Sequence, residues 1–408
     1  MTHYQPRLLE SKIQATLKRG KSILLLGPRQ TGKTTLYKHA CTPDLILNLA
    51  QPKQRHQFER DPDSLSTEID ALSLQGNNTP LIIIDEVQKV PELMDVVQYI
   101  IDDKRAQFIL TGSSARKLKM KRKEGINLLP GRVVMLHLDA LTLSEMHDSL
   151  PSLESLLLFG SLPGIHFDKT DAHREEDLTS YVQTYLEEEI RLEALVRNLG
   201  AFSKFLELAA NTCGEPINYS RLSQDIGISV HLIIEYFQIL EDCLIIDKIN
   251  PLTDSTGRRK LTTAPKYLFF DLGIRRIAAR EGRRLSQKAL ADLFEQFVGM
   301  ELLRYLKLYA PSYHLKYWRD HNGPEVDYVI DMNHTYLPIE VKWTENPSLK
   351  DCRHLEKFLD EYPCHKQAFV VCRVSRRRQI SPRVTALPWQ ELFDLGEIIR
   401  SENEKGQE

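Results

Sequence analysis

The sequence predicts an α/β protein in three parts: a parallel sheet with helices over residues 1–150, a mostly helical stretch over 151–265, and a second, mixed α/β region over 266–400. Three observations carry this. Short apolar runs alternate with helical stretches in the first part, the pattern of βαβ units whose strands are buried on both faces. Helical periodicity dominates the middle. After residue 285 a long helical pattern precedes a series of short strand-like runs.

LLESKIQATLKR at 8–19 reads as an amphipathic helix, and SILLL at 22–26 as a buried strand that leads through a glycine-containing turn to a helix starting TTLYKHA. LILNL (45–49), LIIID (81–85), QFILTG (107–112) and VVMLHLDAL (133–141) read as further strands, with VPELMDVVQYIID as a helix among them. In the middle, SRLSQDIG and ISVHLIIEYFQILEDC read as two helices joined at Gly227, followed by a strand, LIIDKI, and a turn at DSTGRRKL. The last part begins with a helix, KALADLFEQFVGMELLRYL, and continues through strands HLKYWR, EVDYVID, LPIEVKW and QAFVVC. The polar ending SENEKGQE (401–408) is expected to be disordered.

At 408 residues the chain is too long for one core. Its 27% charged and 42% hydrophobic residues are those of an ordinary globular protein. A net charge of −2 gives no global attraction to nucleic acid, so any such contact needs local basic patches. None of the six cysteines (Cys41, Cys213, Cys243, Cys352, Cys364, Cys372) forms a CxxC pair, which argues against a zinc site or a disulfide framework and for a reducing, cytoplasmic setting. The N-terminus lacks the apolar run of a signal peptide. Runs such as ILLL and LIII fall far short of the ~20 apolar residues of a membrane-spanning helix.

GPRQTGKT at 27–34 fits the pattern GxxxxGK[ST], between a strand and a helix. Gly27 and Gly32 let the backbone turn tightly and aim its N–H groups at phosphate oxygens. Pro28, Arg29, Gln30 and Thr31 complete the wrap, and Thr35 follows in the first turn of a helix whose positive end faces the same anion. Lys33 is expected to reach the β- and γ-phosphates, and Thr34 to place its hydroxyl on Mg²⁺. The ligands implied are therefore ATP and Mg²⁺. Two acids closing the buried strand LIIIDE are costly unless they serve a site. Asp85 would hold Mg²⁺ through water, and Glu86 would orient the attacking water. ILTGSS at 109–114 ends a neighbouring strand in hydroxyl residues suited to sensing the γ-phosphate: Ser113 or Ser114, with Thr111 behind them.

GPRQTGKTTL, LIIIDEVQKVPEL, FILTGSS and LPGRVVMLHLDALTLSE together resemble a large prokaryotic group of AAA+ type P-loop ATPases that carry a C-terminal domain of unknown function. The resemblance continues through FGSLPG (159–164), YVQTYLEEEI (181–190) and KYLFFDLGI (266–274), so it spans nearly the whole chain. It implies an arginine that completes the nucleotide site, in some families that of a neighbouring subunit, with Arg132 and Arg116 as candidates. It also implies homo-oligomers.

The middle helix pair with its following strand and turn resembles a winged helix. A DNA-reading second helix normally carries basic residues, yet VHLIIEYFQILED holds Glu235, Glu241 and Asp242 and neither Lys nor Arg. Arg258, Arg259 and Lys260 place positive charge on the wing instead. RKLKMKRK (116–123) and RRR (376–378) are two more basic clusters. Such segregated charge in a chain of nearly neutral balance favours a polyanionic partner.

Successive strand side chains alternate, so Glu340 and Lys342 share one face of LPIEVKW while Ile339 and Val341 take the other. Asp327, in the preceding strand, can sit beside Glu340 across a hairpin. Asp327 and Glu340 would form a hard oxygen site for Mg²⁺ or Mn²⁺, with Lys342 orienting the attacking water. The set resembles the PD-(D/E)xK nuclease core. That resemblance implies a restriction-endonuclease-like domain and a further acid from the preceding helix, Glu295 or else Glu301. GPEVD stands where the superfamily has Pro-Asp. Two readings compete: an ATP-driven protein acting on DNA, and an ATP-dependent switch acting on protein partners with the nuclease-like domain as scaffold.

Overall fold

Five apolar runs of the first part assemble into one parallel sheet. The structure, a computed structural model, describes residues 4–74, 79–114, 129–168, 170–189, 199–253, 262–320, 323–362 and 367–405. The chain divides into two compact units, Met1–Leu141 with Asp242–Ile245, and Thr142–Glu241 with Ile246–Glu408.

The first unit runs α1 (Leu9–Lys18), β1 (Ser22–Leu26), α2 (Lys33–Ala40), β2 (Leu45–Asn48), α3 (Pro52–Arg60), α4 (Ser64–Ser73), β3 (Leu81–Asp85), α5 (Leu93–Asp102), β4 (Gln107–Gly112) and β5 (Val133–His137). Its strand order is β2-β3-β4-β1-β5. β1 is central and buried at every position. It pairs in parallel with β4 (Ile23↔Ile109) and with β5 (Ser22↔Val133). Such a strand needs apolar side chains on both faces, which SILLL supplies. α5 packs Leu93, Val97 and Ile100, one stripe at helical spacing, into a core with Leu24, Ile82, Ile84, Phe108 and Leu110. Because all five strands are parallel, their C-terminal ends share one edge, where open α/β sheets hold their ligands.

The second unit opens with helices α6 (Leu153–Phe159), α7 (Pro163–His166), α8 (Asp171–Ser180), α9 (Leu199–Asn211), α10 (Tyr219–Ile226) and α11 (Val230–Asp242). α8 continues as a π-helical stretch, Tyr181–Glu189. There follow β6 (Ile246–Pro251), β7 (Lys266–Phe269), α12 (Leu272–Ala278), α13 (Gln287–Tyr309), β8 (His314–Arg319), β9 (Glu325–Met332), β10 (Thr335–Lys342), α14 (Arg353–Glu361), β11 (Ala368–Cys372), β12 (Arg378–Ser381), β13 (Val384–Pro388) and α15 (Phe393–Lys405). α10 and α11 form a helix–turn–helix. Asn218 caps the first by accepting from the Arg221 amide at 3.0 Å. Gly227, at φ 80°, supplies the left-handed turn that ends it. Phe202, Phe205, Tyr236 and Phe237 pack beneath it, with Phe237 stacked on Tyr267 at 4.4 Å.

The strands after this helix pair are not a separate wing. β6 pairs with β7 antiparallel but also with β8 in parallel, at Asn250↔Lys316, so both belong to an eight-stranded sheet ordered β12-β13-β11-β10-β9-β8-β6-β7. Arg258, Arg259 and Lys260 lie outside the described residues. The ending is likewise not disordered throughout: α15 continues to Lys405, and the Asn403 amide donates to the Tyr309 carbonyl at 3.0 Å.

FGSLPG and DLGI, which carried part of the family resemblance, meet in a buried polar network. Asp271 accepts from the Ser161 amide at 2.8 Å and the Ile274 amide at 3.1 Å. The fully buried Arg276 donates to the Leu158 carbonyl at 2.7 Å and to Glu175 at 3.1 Å. Arg304 bonds Glu301 at 2.7 Å, the Phe270 carbonyl at 3.0 Å and Ser161 at 3.1 Å. Glu301, the second candidate for a helix-borne catalytic acid, is committed here: it also accepts from the Leu143 amide at 3.0 Å. Lying six residues after Glu295, it is rotated about 240° from it around α13.

Two outcomes are expected. A methyl group at Gly273 would sit 2.4 Å from the Phe159 carbonyl oxygen, which is backbone and cannot yield cheaply. Gly273→Ala should therefore cost about 1–3 kcal/mol in urea denaturation; unchanged stability would mean that α12 is free to shift against α6. Burial pushes the Cys213 thiol from its ordinary 9.0 up to about 11. The folded chain then keeps this proton while the unfolded chain loses it, so the stability it contributes is full below pH 9.0 and is lost as pH rises toward 11. Iodoacetamide at pH 8.5 should accordingly leave Cys213 unmodified in the folded protein, as read by peptide mass spectrometry; rapid alkylation there would contradict this.

Candidate functional site

At the C-terminal end of β1 the chain enters the loop Gly27–Gly32 and then α2. Gly27 is required by contact: a Cβ there would lie 2.2 Å from the Leu138 carbonyl oxygen. Gly32 adopts φ 93° and Gln30 φ 63°, both left-handed. Thr31 is buried and donates to the Pro28 carbonyl at 2.9 Å, bracing the loop from inside. Lys33 is 7% exposed, and its ammonium donates to the loop carbonyls of Gly27 at 2.7 Å and Pro28 at 2.9 Å. Burial lowers it to about 8, against the opposing pull of Glu86 and Asp85. An ammonium so placed gains strongly from the approach of phosphate charge. Arg29 is half-buried, whereas Gln30, Thr34 and Thr35 are exposed at the mouth of the loop.

Asp85 ends β3 beside this loop. It accepts from Thr34 at 3.2 Å, from Tyr37 at 3.3 Å, and from Thr111 of β4. A threonine hydroxyl against a carboxylate is a hard oxygen pair of the kind Mg²⁺ takes. The next residue, Glu86, has φ 60°, strained for a residue with a Cβ. Its amide donates to Thr111 at 3.3 Å, and its carboxylate accepts from Gln88 at 2.5 Å and Ser113 at 3.2 Å. Gln88 also donates to Ser113 at 3.1 Å. The hydroxyls at the end of β4 and just beyond it thus divide: Thr111 serves Asp85, while Ser113 serves Glu86.

Ser114, the alternative sensor, is buried beside Cys243 at 3.9 Å. Arg132 lies elsewhere. It precedes Val133, which pairs with Ser22 at the start of β1, so it stands at the edge of the sheet opposite the loop. There it forms a two-pronged bond to Asp102, at 2.7 and 2.9 Å. Arg132 therefore does not complete the nucleotide site of its own unit. Arg116 and the run 116–123 lie outside the described residues.

Two contributors carry no sequence signal of their own. Gln88 stands two residues after Glu86 and could be suspected only by proximity. Arg7, far away in sequence, donates to the Thr31 carbonyl at 2.8 Å and to the carbonyls of Asp139 at 2.8 Å and Ala140 at 3.3 Å. It ties the loop to the segment leaving β5.

In the second unit, β9 and β10 form a hairpin whose turn residues, Asn333 and His334, both have positive φ. The register Ile339↔Tyr328 sets Glu340 opposite Asp327 at the next step. Lys342 donates to Glu340 at 2.6 Å and stands 3.9 Å from Asp327. Asp327 also accepts from the Val341 amide at 2.7 Å. α13 brings Glu295 to the same place, its carbonyl accepting from Tyr328 at 3.0 Å. Burial, then the charge of Asp327, raises Glu295 to about 7 and Glu340 well above its ordinary value. Asp327 is raised chiefly by burial, which Lys342 and Lys266 only partly offset. One oxygen of Glu340, Oε2, is buried with no hydrogen-bond partner. Buried carboxyls whose charged forms are disfavoured, one of them with an unsatisfied oxygen, fit a divalent cation, which would relieve both conditions. Asp327 and Glu340 would hold it. Among the described residues no three His, Cys, Asp or Glu side chains converge as ligands.

Arg7→Ala should loosen the nucleotide loop without removing any phosphate-facing group. The expected result is weaker binding of a fluorescent ATP analogue, by about tenfold for two to three lost charge-assisted bonds after relaxation. Affinity equal to wild type would show that the loop holds its shape without this tie.

Comparison with known proteins divides the chain similarly. Residues 19–147 match the AAA domain family, while residues 150–285 and 291–392 match two families each described as a domain of unknown function (DUF8612 and DUF4143). An uncharacterized protein of Mycobacterium bovis and one of Mycobacterium tuberculosis are each similar at 24% identity over 390 residues, covering 95% of this chain and 84% of their own length. Among solved structures, a signal transduction ATPase with a tetratricopeptide repeat sensor from Pyrococcus horikoshii overlaps 76% of this chain at 15% identity and a TM-score of 0.28. The chain spans about half the length of that protein, 47%. The DNA clamp loader delta protein of Bacillus subtilis overlaps 57% of this chain and 87% of its own at 10% identity and a TM-score of 0.25. Likenesses this loose carry no argument. No described helix is long and apolar enough to cross a membrane. The domain match falls on the loop, the acids and the parallel sheet already described: residues 19–147 are an AAA-type P-loop ATPase domain, which supports ATP binding and hydrolysis.

Proposed function

We propose that ATP turnover in the first unit drives action on DNA, and that the carboxylate site of the second unit, a PD-(D/E)xK-like centre, binds or cleaves the DNA backbone with Mg²⁺ or Mn²⁺. The observation that carries this is that Glu340, which stands opposite Asp327 and is bonded through one oxygen by Lys342, keeps its other oxygen buried and unpartnered, with Glu295 close enough to raise it. A bound divalent cation would supply charge stabilisation to a phosphodiester undergoing attack. In this reading Asp327 and Glu340 hold the cation, Glu295 supports them, and Lys342 orients water. In the ATPase, Lys33 and the loop from Gly27 to Thr35 hold the phosphates. Thr34 and Asp85 hold Mg²⁺, Glu86 orients water, and Ser113 positions Glu86. An arginine of a second copy of the chain would complete that site in a homo-oligomer. The cytoplasm is the expected setting.

A second reading, a switch acting on a protein partner, is favoured by the exposed side of α11. It presents Val230, His231, Ile234, Glu235 and Gln238, with neither Lys nor Arg to meet phosphate. In the basic cluster 376–378, Arg377 is already paired with Glu391 and Asp394, and Arg378 is tethered to the Pro347 carbonyl.

ATP hydrolysis measured with Mg²⁺ and single-stranded, duplex or branched DNA separates the two. Several-fold stimulation by one form, absent in Lys33→Ala, is expected for the DNA reading. Turnover unchanged by every form would favour the protein switch. Product gels with Mg²⁺ or Mn²⁺ should then show cutting that Asp327→Ala abolishes; identical products from both proteins would remove the nuclease role.

A further inference from the structure

The carboxylate site contains a cation of its own. Lys266, on β7, is 2% exposed, and its ammonium lies 3.3 Å from Glu295 and 3.2 Å from Glu325. It also lies over the ring of Tyr317, 4.8 Å from its centroid. A buried ammonium is expensive unless paired. Burial alone would lower Lys266, yet Glu295, Glu325 and Asp327 together hold it above its ordinary value, so it is charged. Both oxygens of Glu325 are engaged, one by Lys266 and the other by Arg319 at 3.5 Å.

Four carboxylates therefore reach this region, but they are not equivalent. Glu295 and Glu325 are held by Lys266. Asp327 and Glu340 face each other across the hairpin; Lys342 bonds Glu340 through Oε1 at 2.6 Å, but Oε2, in a residue 4% exposed, points at no donor.

We propose that Lys266 is a resident counter-ion that takes Glu295 and Glu325 out of cation binding, so that the site accepts a single divalent cation on Asp327 and Glu340. This rests on the reading of the cluster as a cation site. Lys266 is a positioning residue. It sets how many ions the site takes without touching the ion.

The test counts Mn²⁺ bound to the full chain without nucleotide, by electron paramagnetic resonance and calorimetry. One Mn²⁺ per chain is expected, with affinity lowered by at least the ~10–100-fold seen for supporting shells when Glu340→Gln removes a direct ligand. Glu325→Gln should leave Mn²⁺ affinity unchanged. Lys266→Met should admit a second Mn²⁺, and Lys266→Arg should restore one. Two Mn²⁺ in the wild type, or an affinity loss in Glu325→Gln as large as in Glu340→Gln, would overturn the role of Lys266. The Glu325→Gln comparison decides the matter even if Lys266→Met fails to fold. No Mn²⁺ bound by the wild type would instead remove the cation site itself.

Discussion

The parallel pairing of β1 with β4 and β5 governs the ATPase unit. With β3 next to β4 in the same direction, each strand delivers its last residues to one edge. The loop after Leu26, the acids Asp85 and Glu86, and the hydroxyls Thr111 and Ser113 meet there with no side chain reaching further than a hydrogen bond. Reversing any one strand would carry its polar end to the opposite edge, some 15 Å away for a five-residue strand. Arg132 shows the same rule from the other side: it precedes its strand and so stands where the nucleotide loop does not.

A different constraint operates in the second unit. The two-residue turn at Asn333 and His334 locks the hairpin at Met332↔Thr335, and that register carries down to Asp327 and Glu340. A slip of one residue would turn every side chain of one strand to the other face. Asp327 would then leave the site, and an apolar neighbour, Val326 or Tyr328, would replace it. The sheet behind the hairpin, buried through Val329, Val370 and Ala386, makes such a slip costly.

Those elements whose physics is local were legible in the sequence. SILLL and LIIID announce strands because nearly every position is buried, and GPRQTGKT announces its loop because the glycines and the lysine must stand at fixed spacing. The pairing of Asp327 with Glu340 was legible from strand alternation. β12 and β13 were not, since RQIS and VTALP are short and carry charge or proline. α15 hid behind a polar composition with only Leu395, Gly396 and Ile399 buried. Arg7, Gln88 and Lys266 were invisible for another reason: each acts on a partner fixed by the fold and has no periodic neighbour of its own. Glu301 and Glu295 look alike on one helix, and only the packing of α13 tells a structural acid from one that faces the site.

The bonds from Lys33 to the carbonyls of Gly27 and Pro28 bear on how long a nucleotide stays. A lysine that served phosphate alone would be stranded in a buried place each time its ligand left, and the cost of that desertion would slow departure. Here the ammonium exchanges one set of oxygens for another at short range. The loop is its own understudy, which suits a domain that must let go of spent nucleotide as readily as it takes up fresh.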